Sequence, residues 1–167
     1  MSEPGEGAAG ASAVRPAQVR LAVPADSVTL VALRRAALAE QRPLRGGELY
    51  AEREARPTPP PGAEDRPLWV GELAGEVVGY LAARVDGLGD GRRVGVIEAV
   101  YVDPACRGVG VGEAMVGSAL GWFRAQGCIG VDALALPGSR ATKNFFEESG
   151  FTSRLLVMHH RLAGGES

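Results

Sequence analysis

An α/β fold follows from three observations on this 167-residue chain. Short runs of Val, Leu, Ile and Tyr read as strands. The segments between several of them carry apolar residues at helical spacing, and glycine-rich or proline-rich punctuation separates the two. Elements in this order pack as a sheet with helices on both faces. The length suffices to bury a core without disulfides or a structural metal.

Val19 to Val23 alternates as a first strand. Pro24-Ala25-Asp26 then opens a helix that reaches about Glu40 and carries Val28, Val31 and Leu38 on its apolar side. A weaker helix is expected from Gly47 to Glu54. Arg56 to Asp65 holds four prolines and one glycine and reads as loop. Leu68–Leu73 and Val77–Arg84 flank Ala74-Gly75 as a hairpin, and Val85 to Arg93 turns into a strand over Val94–Val102. From Val109 to Gln126, the residues Val111, Met115, Ala119 and Phe123 recur every fourth position, so one helix face packs on the sheet and Gly127 ends it. Ile129 to Leu136 is a further strand. Ser139 caps a helix that closes at Ser149 and Gly150, and Leu155–Met158 starts a last strand.

The segment richest in chemistry is Arg107-Gly-Val-Gly-Val-Gly112, between the Val94–Val102 strand and the helix after it. Alternating glycines let a backbone approach an anion closely. The unpaired N–H groups and positive dipole end of a helix N-terminus then bind that anion. Arg107 adds a cation at the mouth. A dinucleotide fingerprint belongs near the first strand of a βαβ unit, and this run lies two-thirds of the way along the chain. A Walker loop needs Gly-Lys-Ser/Thr, whereas the chain's one lysine is Lys143.

What remains, Arg-x-x-Gly-x-Gly after Val102-Asp103-Pro104 and before Gly150-Phe151, resembles the GCN5-related N-acetyltransferase (GNAT) superfamily. The resemblance runs from about Val19 to Leu162. It is most specific in I-E-A-V-Y-V-D-P-A-C-R-G-V-G-V-G-E-A-M-V and N-F-F-E-E-S-G-F. It implies a mixed, mostly antiparallel sheet of six to seven strands, acetyl-CoA as acyl donor, no metal, and transfer of the acetyl group to a primary amine. The strand before the loop is expected to splay from its neighbour and pair with the pantetheine arm through Val100 and Val102, with Tyr101 between them. The N–H groups of Arg107, Gly108, Val109, Gly110, Val111 and Gly112 would hold the diphosphate.

Amine attack on a thioester needs a proton removed from an alkyl ammonium, an oxyanion stabilised, and a proton for a departing thiolate whose thiol has a pKa of roughly 8.5. The resemblance points to Glu98 as base, acting through water; the alternative is a strand residue paired with an arginine. Where many family members carry a tyrosine as acid, in Tyr-Glu-x-x-Gly-Phe, this chain has Phe146, expected beside the cysteamine end of the coenzyme. The asparagine that commonly contacts the cofactor is Ser139 here. Tyr101 alternates away from Val100 and Val102 and also reads as core, as do Phe145, Trp69 and Trp122. Asn144 reads as structural. His159 and His160 point to opposite faces of a strand, which leaves one able to reach the acceptor pocket, with a surface position as the commoner alternative.

A net charge of −2 and the absence of a basic stripe argue against nucleic acid and membrane surfaces as partners. No apolar run approaches the roughly 20 residues of a membrane helix. Cys106 and Cys128 stand apart from any histidine cluster, as expected of a cytoplasmic protein without a metal site. Residues 1–17 read as a disordered tail, 18–163 as one domain, and 164–167 as a second tail. The acceptor stays open between a small molecule and a peptide, with a homodimer admissible. A catalytically weak acyl-CoA-binding regulatory module is the alternative, and a domain binding another diphosphate a remoter one.

Overall fold

In the computed structural model, which describes residues 16–54, 66–160 and 162, the four-residue apolar period becomes helix α3 (Val111–Ala125). Val111, Met115, Ala119 and Phe123 are each at most 1% exposed. Burying a side chain of this size stabilises a fold by about 1.5–3 kcal/mol, so this face anchors the helix. It lies on a sheet of β1 (Gln18–Leu21), β2 (Leu68–Leu73), β3 (Glu76–Gly87), β4 (Arg93–Val102) and β5 (Cys128–Ala133), ordered as numbered. The first three pairings are antiparallel and β4 runs parallel to β5. Ala74 and Gly75, both at positive φ, close the β2–β3 hairpin as expected.

Helix α4 (Arg140–Glu148) sends Phe146 into the core under α3, where Trp69, Leu81 and Ile97 also lie. On the other face, α1 (Ser27–Gln41) buries Leu33 and Ala37 against Val70, Tyr80 and Tyr101. Helix α2 (Gly47–Glu54) packs on α1. Asp26, in a short 3₁₀ turn before α1, is 7% exposed. It accepts from both terminal nitrogens of Arg20 and from the Val23 amide, joining β1 to the helix start.

Several expectations are corrected. The sheet has five strands among the described residues, not six to seven. Leu155–Met158 pairs with nothing in the sheet, and each of its residues is at least 72% exposed. Four successive apolar residues carry no alternation that would select a face; the Arg154–Asp132 ion pair ties only the residue before them to β5. Val28 and Val31 are 84% and 61% exposed, because the buried stripe of α1 runs through Leu30, Leu33 and Ala37. The β3 ladder continues to Gly87, leaving a tighter turn than Val85–Arg93, and β5 stops at Ala133 rather than Leu136. The proline-rich loop over 56–65, residues 1–15 of the expected N-terminal tail and the whole C-terminal tail over 164–167 lie outside the described residues.

Candidate active site

Strands β4 and β5 pair only as far as Ile97 and Ala133, with one further bond from the Leu134 N–H to the Ile97 carbonyl at 3.3 Å. Beyond it they part. Ala99 and Val100 form one wall of the resulting cleft, and Leu134, Ala135 and Leu136 form the other. Gln41, Leu44 and Tyr50 close it from the α1–α2 side, while Ser139 and Thr142 reach in from the start of α4. On the β3 side, Ala82 faces Ala99 and Ala83 faces Ile97, so Glu98 is the extra residue of a β-bulge.

Among the described residues, the opening leaves backbone groups of β4 without a strand partner. The Asp103 N–H donates to Val78 of β3 at 2.8 Å. Successive residues of a strand point their amide groups to opposite edges, so those of Val100 and Val102 face the cleft. At the end of this edge, Gly108 and Gly110 adopt φ of +76° and +87°, and Gly110 is the N-cap of α3. Side chains avoid such angles, so glycine is what lets the loop turn here. The next amides belong to the first helical turn and have no partner within the helix. An extended arm ending in a diphosphate fits these donors: the edge matches the arm and the helix N-terminus matches the charge.

Arg107 is not a cation held out at the mouth. Its Nη2 donates to both carboxylate oxygens of Glu40 at 2.9 Å, and its Nε donates to the Val102 carbonyl at 2.8 Å. The guanidinium lies 5.3 Å from the centre of the Tyr101 ring. Tyr101, expected among the cofactor-binding positions, points to the α1 side instead. It is 7% exposed, and its hydroxyl donates to Glu40 at 3.2 Å. Burial, and then the nearby Glu40 carboxylate, push its phenol above the ordinary tyrosine range, so it remains a donor at neutral pH.

Glu98 lies in a brace of arginines. Its Oε1 accepts from Arg84 Nη1 at 2.8 Å and from Arg66 Nη2 at 3.1 Å, and its Oε2 accepts from Arg66 at 3.1 Å. The backbone carbonyl of Glu98 accepts from the Tyr50 hydroxyl at 3.2 Å. Tyr50 arrives through the tight α1–α2 connection. A Cβ at Gly47 would come within 1.9 Å of the Gln41 carbonyl, so the turn closes only over glycine.

Other expected positions divide. Ser139 lines the cleft, its Oγ donating to Thr142 Oγ1 at 2.7 Å. Val109 is 48% exposed on the loop, whereas the Val111 side chain is 1% exposed in the core. Gly112 faces α4: a Cβ there would meet the Phe145 ring at 2.9 Å, so its lack of a side chain serves helix packing. Phe146 is not among the side chains lining the cleft. It is 5% exposed and stacked edge-on between Phe145 and Phe151, because its side of α4 is the one turned to the sheet. Tyr50, Glu40, Arg66, Arg84 and Leu134–Leu136 were not expected at the site.

The family model for the Acetyltransferase (GNAT) family matches residues 31–151, and the chain belongs to that family. An acetyltransferase from Trypanosoma brucei is 26% identical, with a TM-score of 0.63 over 87% of this chain and 99% of that one. The aminoglycoside N-acetyltransferase AAC(6')-Iy, solved in complex with CoA, superposes with a TM-score of 0.66 at 18% identity over 87% and 98%. A ribosomal-protein-alanine N-acetyltransferase from Brucella melitensis gives 0.64 at 16% identity over 88% and 99%. No curated protein matches the chain. The aminoglycoside and alanine enzymes, both under 25% identical, carry the fold alone.

Proposed function

We propose that the chain is an acetyl-CoA-dependent N-acetyltransferase acting on a primary amine of a small molecule or a peptide by direct attack on the thioester. The observation that carries this reading is the open edge of β4 at Val100 and Val102, running into the Gly108–Gly110 loop at the start of α3. Backbone donors there suit the arm and diphosphate of the coenzyme and need no particular side chain. The CoA complex of the aminoglycoside enzyme supports this choice of donor. The alanine N-acetyltransferase supports including peptides among the acceptors.

In this reading, the acyl end lies between Ala99–Val100 and Leu134–Leu136, next to the bulge. Glu98 takes the proton of the incoming ammonium through water. Its Oε2 contacts Arg66, and lone pairs remain on that oxygen for a water molecule. The amine approaches from the α1–α2 side. Calorimetric titration with acetyl-CoA and with NAD tests the donor site, and a panel of amines with thiol detection tests transfer. Tighter binding of NAD than of acetyl-CoA would overturn the assignment.

A further inference from the structure

Given acyl transfer at this cleft, we infer that the Tyr50 hydroxyl is the proton donor to the departing coenzyme thiolate. The position that carries a tyrosine in many family members is Phe146 here, a ring with no hydroxyl that is buried in the core and does not line the cleft. Among the described residues, the polar side chains lining the cleft are Gln41, Tyr50, Ser139 and Thr142. A carboxamide and two alkyl hydroxyls are too weakly acidic to give up a proton here. A phenol of pKa near 10 lies within about two units of a thiol near 8.5. Tyr50 is therefore the group whose acidity suits the task.

Its placement suits it as well. The Tyr50 hydroxyl is 3.2 Å from the Glu98 carbonyl, at the bulge where the cleft begins, and the next two residues, Ala99 and Val100, are the wall along which the acyl end would lie. Rotation about the phenolic C–O bond turns the same proton from that carbonyl toward the cleft. Helix α2 thus supplies the acid that α4 supplies elsewhere.

The step balances without another reagent. The neutral amine nitrogen forms a bond to the thioester carbonyl carbon, and the C–S bond breaks with its electron pair leaving on sulfur. Tyr50 gives its proton to that sulfur and becomes a phenolate. The proton that the nitrogen sheds as it becomes an amide passes through water and restores the phenol. The products are the amide and free coenzyme thiol.

Coenzyme A is the probe, so no acceptor has to be known. Its thiolate absorbance is followed against pH when bound to the parent protein and to Tyr50→Phe, with calorimetry confirming that both bind it. A hydroxyl that donates to sulfur favours the charged form. The bound thiol is therefore expected to ionise about one unit lower in the parent than in Tyr50→Phe, a tenfold difference in ionisation constant. Equal ionisation in both proteins, with coenzyme bound, overturns the role of Tyr50 and leaves the coenzyme site standing. Failure of the parent itself to bind coenzyme A overturns both.

Discussion

Glu40, at the end of α1, receives Arg107 Nη2 on both carboxylate oxygens at 2.9 Å, tying that helix to the first residue of the glycine loop. Arg107 Nε at the same time holds the Val102 carbonyl, which lies on the open edge of β4. A coenzyme arm pairing with that edge as proposed would compete with Arg107 for Val102, and its diphosphate would compete with Glu40 for the guanidinium. On that proposal the ion pair opposes coenzyme entry in proportion to its own strength.

Exposed ion pairs are worth about 0.2–1 kcal/mol, and both side chains here are 45% exposed. Glu40→Gln, which keeps an acceptor for the Tyr101 hydroxyl, is expected to tighten acetyl-CoA binding by about 1.4- to 5-fold, the equivalent of that energy. In an Arg107→Ala background the same change should leave affinity unaltered, since the competing partner is gone. Calorimetry on the four proteins of the cycle measures this. Equal tightening in both backgrounds would show a general charge effect rather than a specific pair.

Phe146 gives the second prediction. A hydroxyl added to a ring that is 5% exposed and enclosed by Phe145 and Phe151 enters a closed apolar core. Leaving it without a partner costs about 1–3 kcal/mol. Phe146→Tyr should lower the thermal midpoint by about 2–12 °C, the shift such a loss produces in a domain of this size, with coenzyme affinity unchanged. A rise in turnover at constant stability would instead put the ring in the cleft.

The third concerns acid. Asp26 is held below the ordinary carboxyl range, chiefly by its hydrogen bonds from Arg20 and also by the Val23 amide, against the opposing effect of burial. A carboxyl depressed in the folded state contributes stability above its unfolded value, about 3.9, and loses that contribution as pH falls through the folded value. Urea unfolding should therefore show stability falling below about pH 4, with a shallower decline in Asp26→Asn. Near neutral pH the variant should be less stable by about 1 kcal/mol, a figure kept small because Arg20 is 39% exposed. Identical acid slopes in the two proteins would remove Asp26 from the account.

What the sequence disclosed was what short-range spacing encodes. The Val111–Phe123 period, the Ala74-Gly75 turn and the glycines that cap α3 and follow α4 each state a local rule, and each element formed where it was expected. The cleft was legible only through the glycine loop. Glu98 meets arginines 14 and 32 positions away, and Tyr50 reaches it across 48 residues, separations with no period to reveal them. Phe146 misled because α4 presents two adjacent phenylalanines, and spacing alone does not say which turns to the sheet. Leu155–Met158 misled because apolar character without alternation was read as a strand.

Glu98 carries the last prediction, because its surroundings allow two roles with different signatures. It sits at the bulge, 16% exposed, between Arg84 of β3 and Arg66 ahead of β2. As the base that accepts the amine proton through water, it should leave its mark on the ascending limb of the pH–rate profile. Glu98→Gln is then expected to lower turnover by about 10²-fold or more and to flatten that limb. Coenzyme affinity should hold, because the donors proposed for the coenzyme are backbone groups of β4 and α3. Arg84 keeps Asp86 as a partner in the variant, at 2.8 Å, so the loss of the carboxylate charge need not unsettle β3. Steady-state rates against pH, on the best amine from the panel, read the first role, and chemical unfolding reads the second. A parent-like pH profile with a lowered unfolding midpoint would make Glu98 a cross-brace between β3, β4 and Arg66, and would move proton removal to water alone.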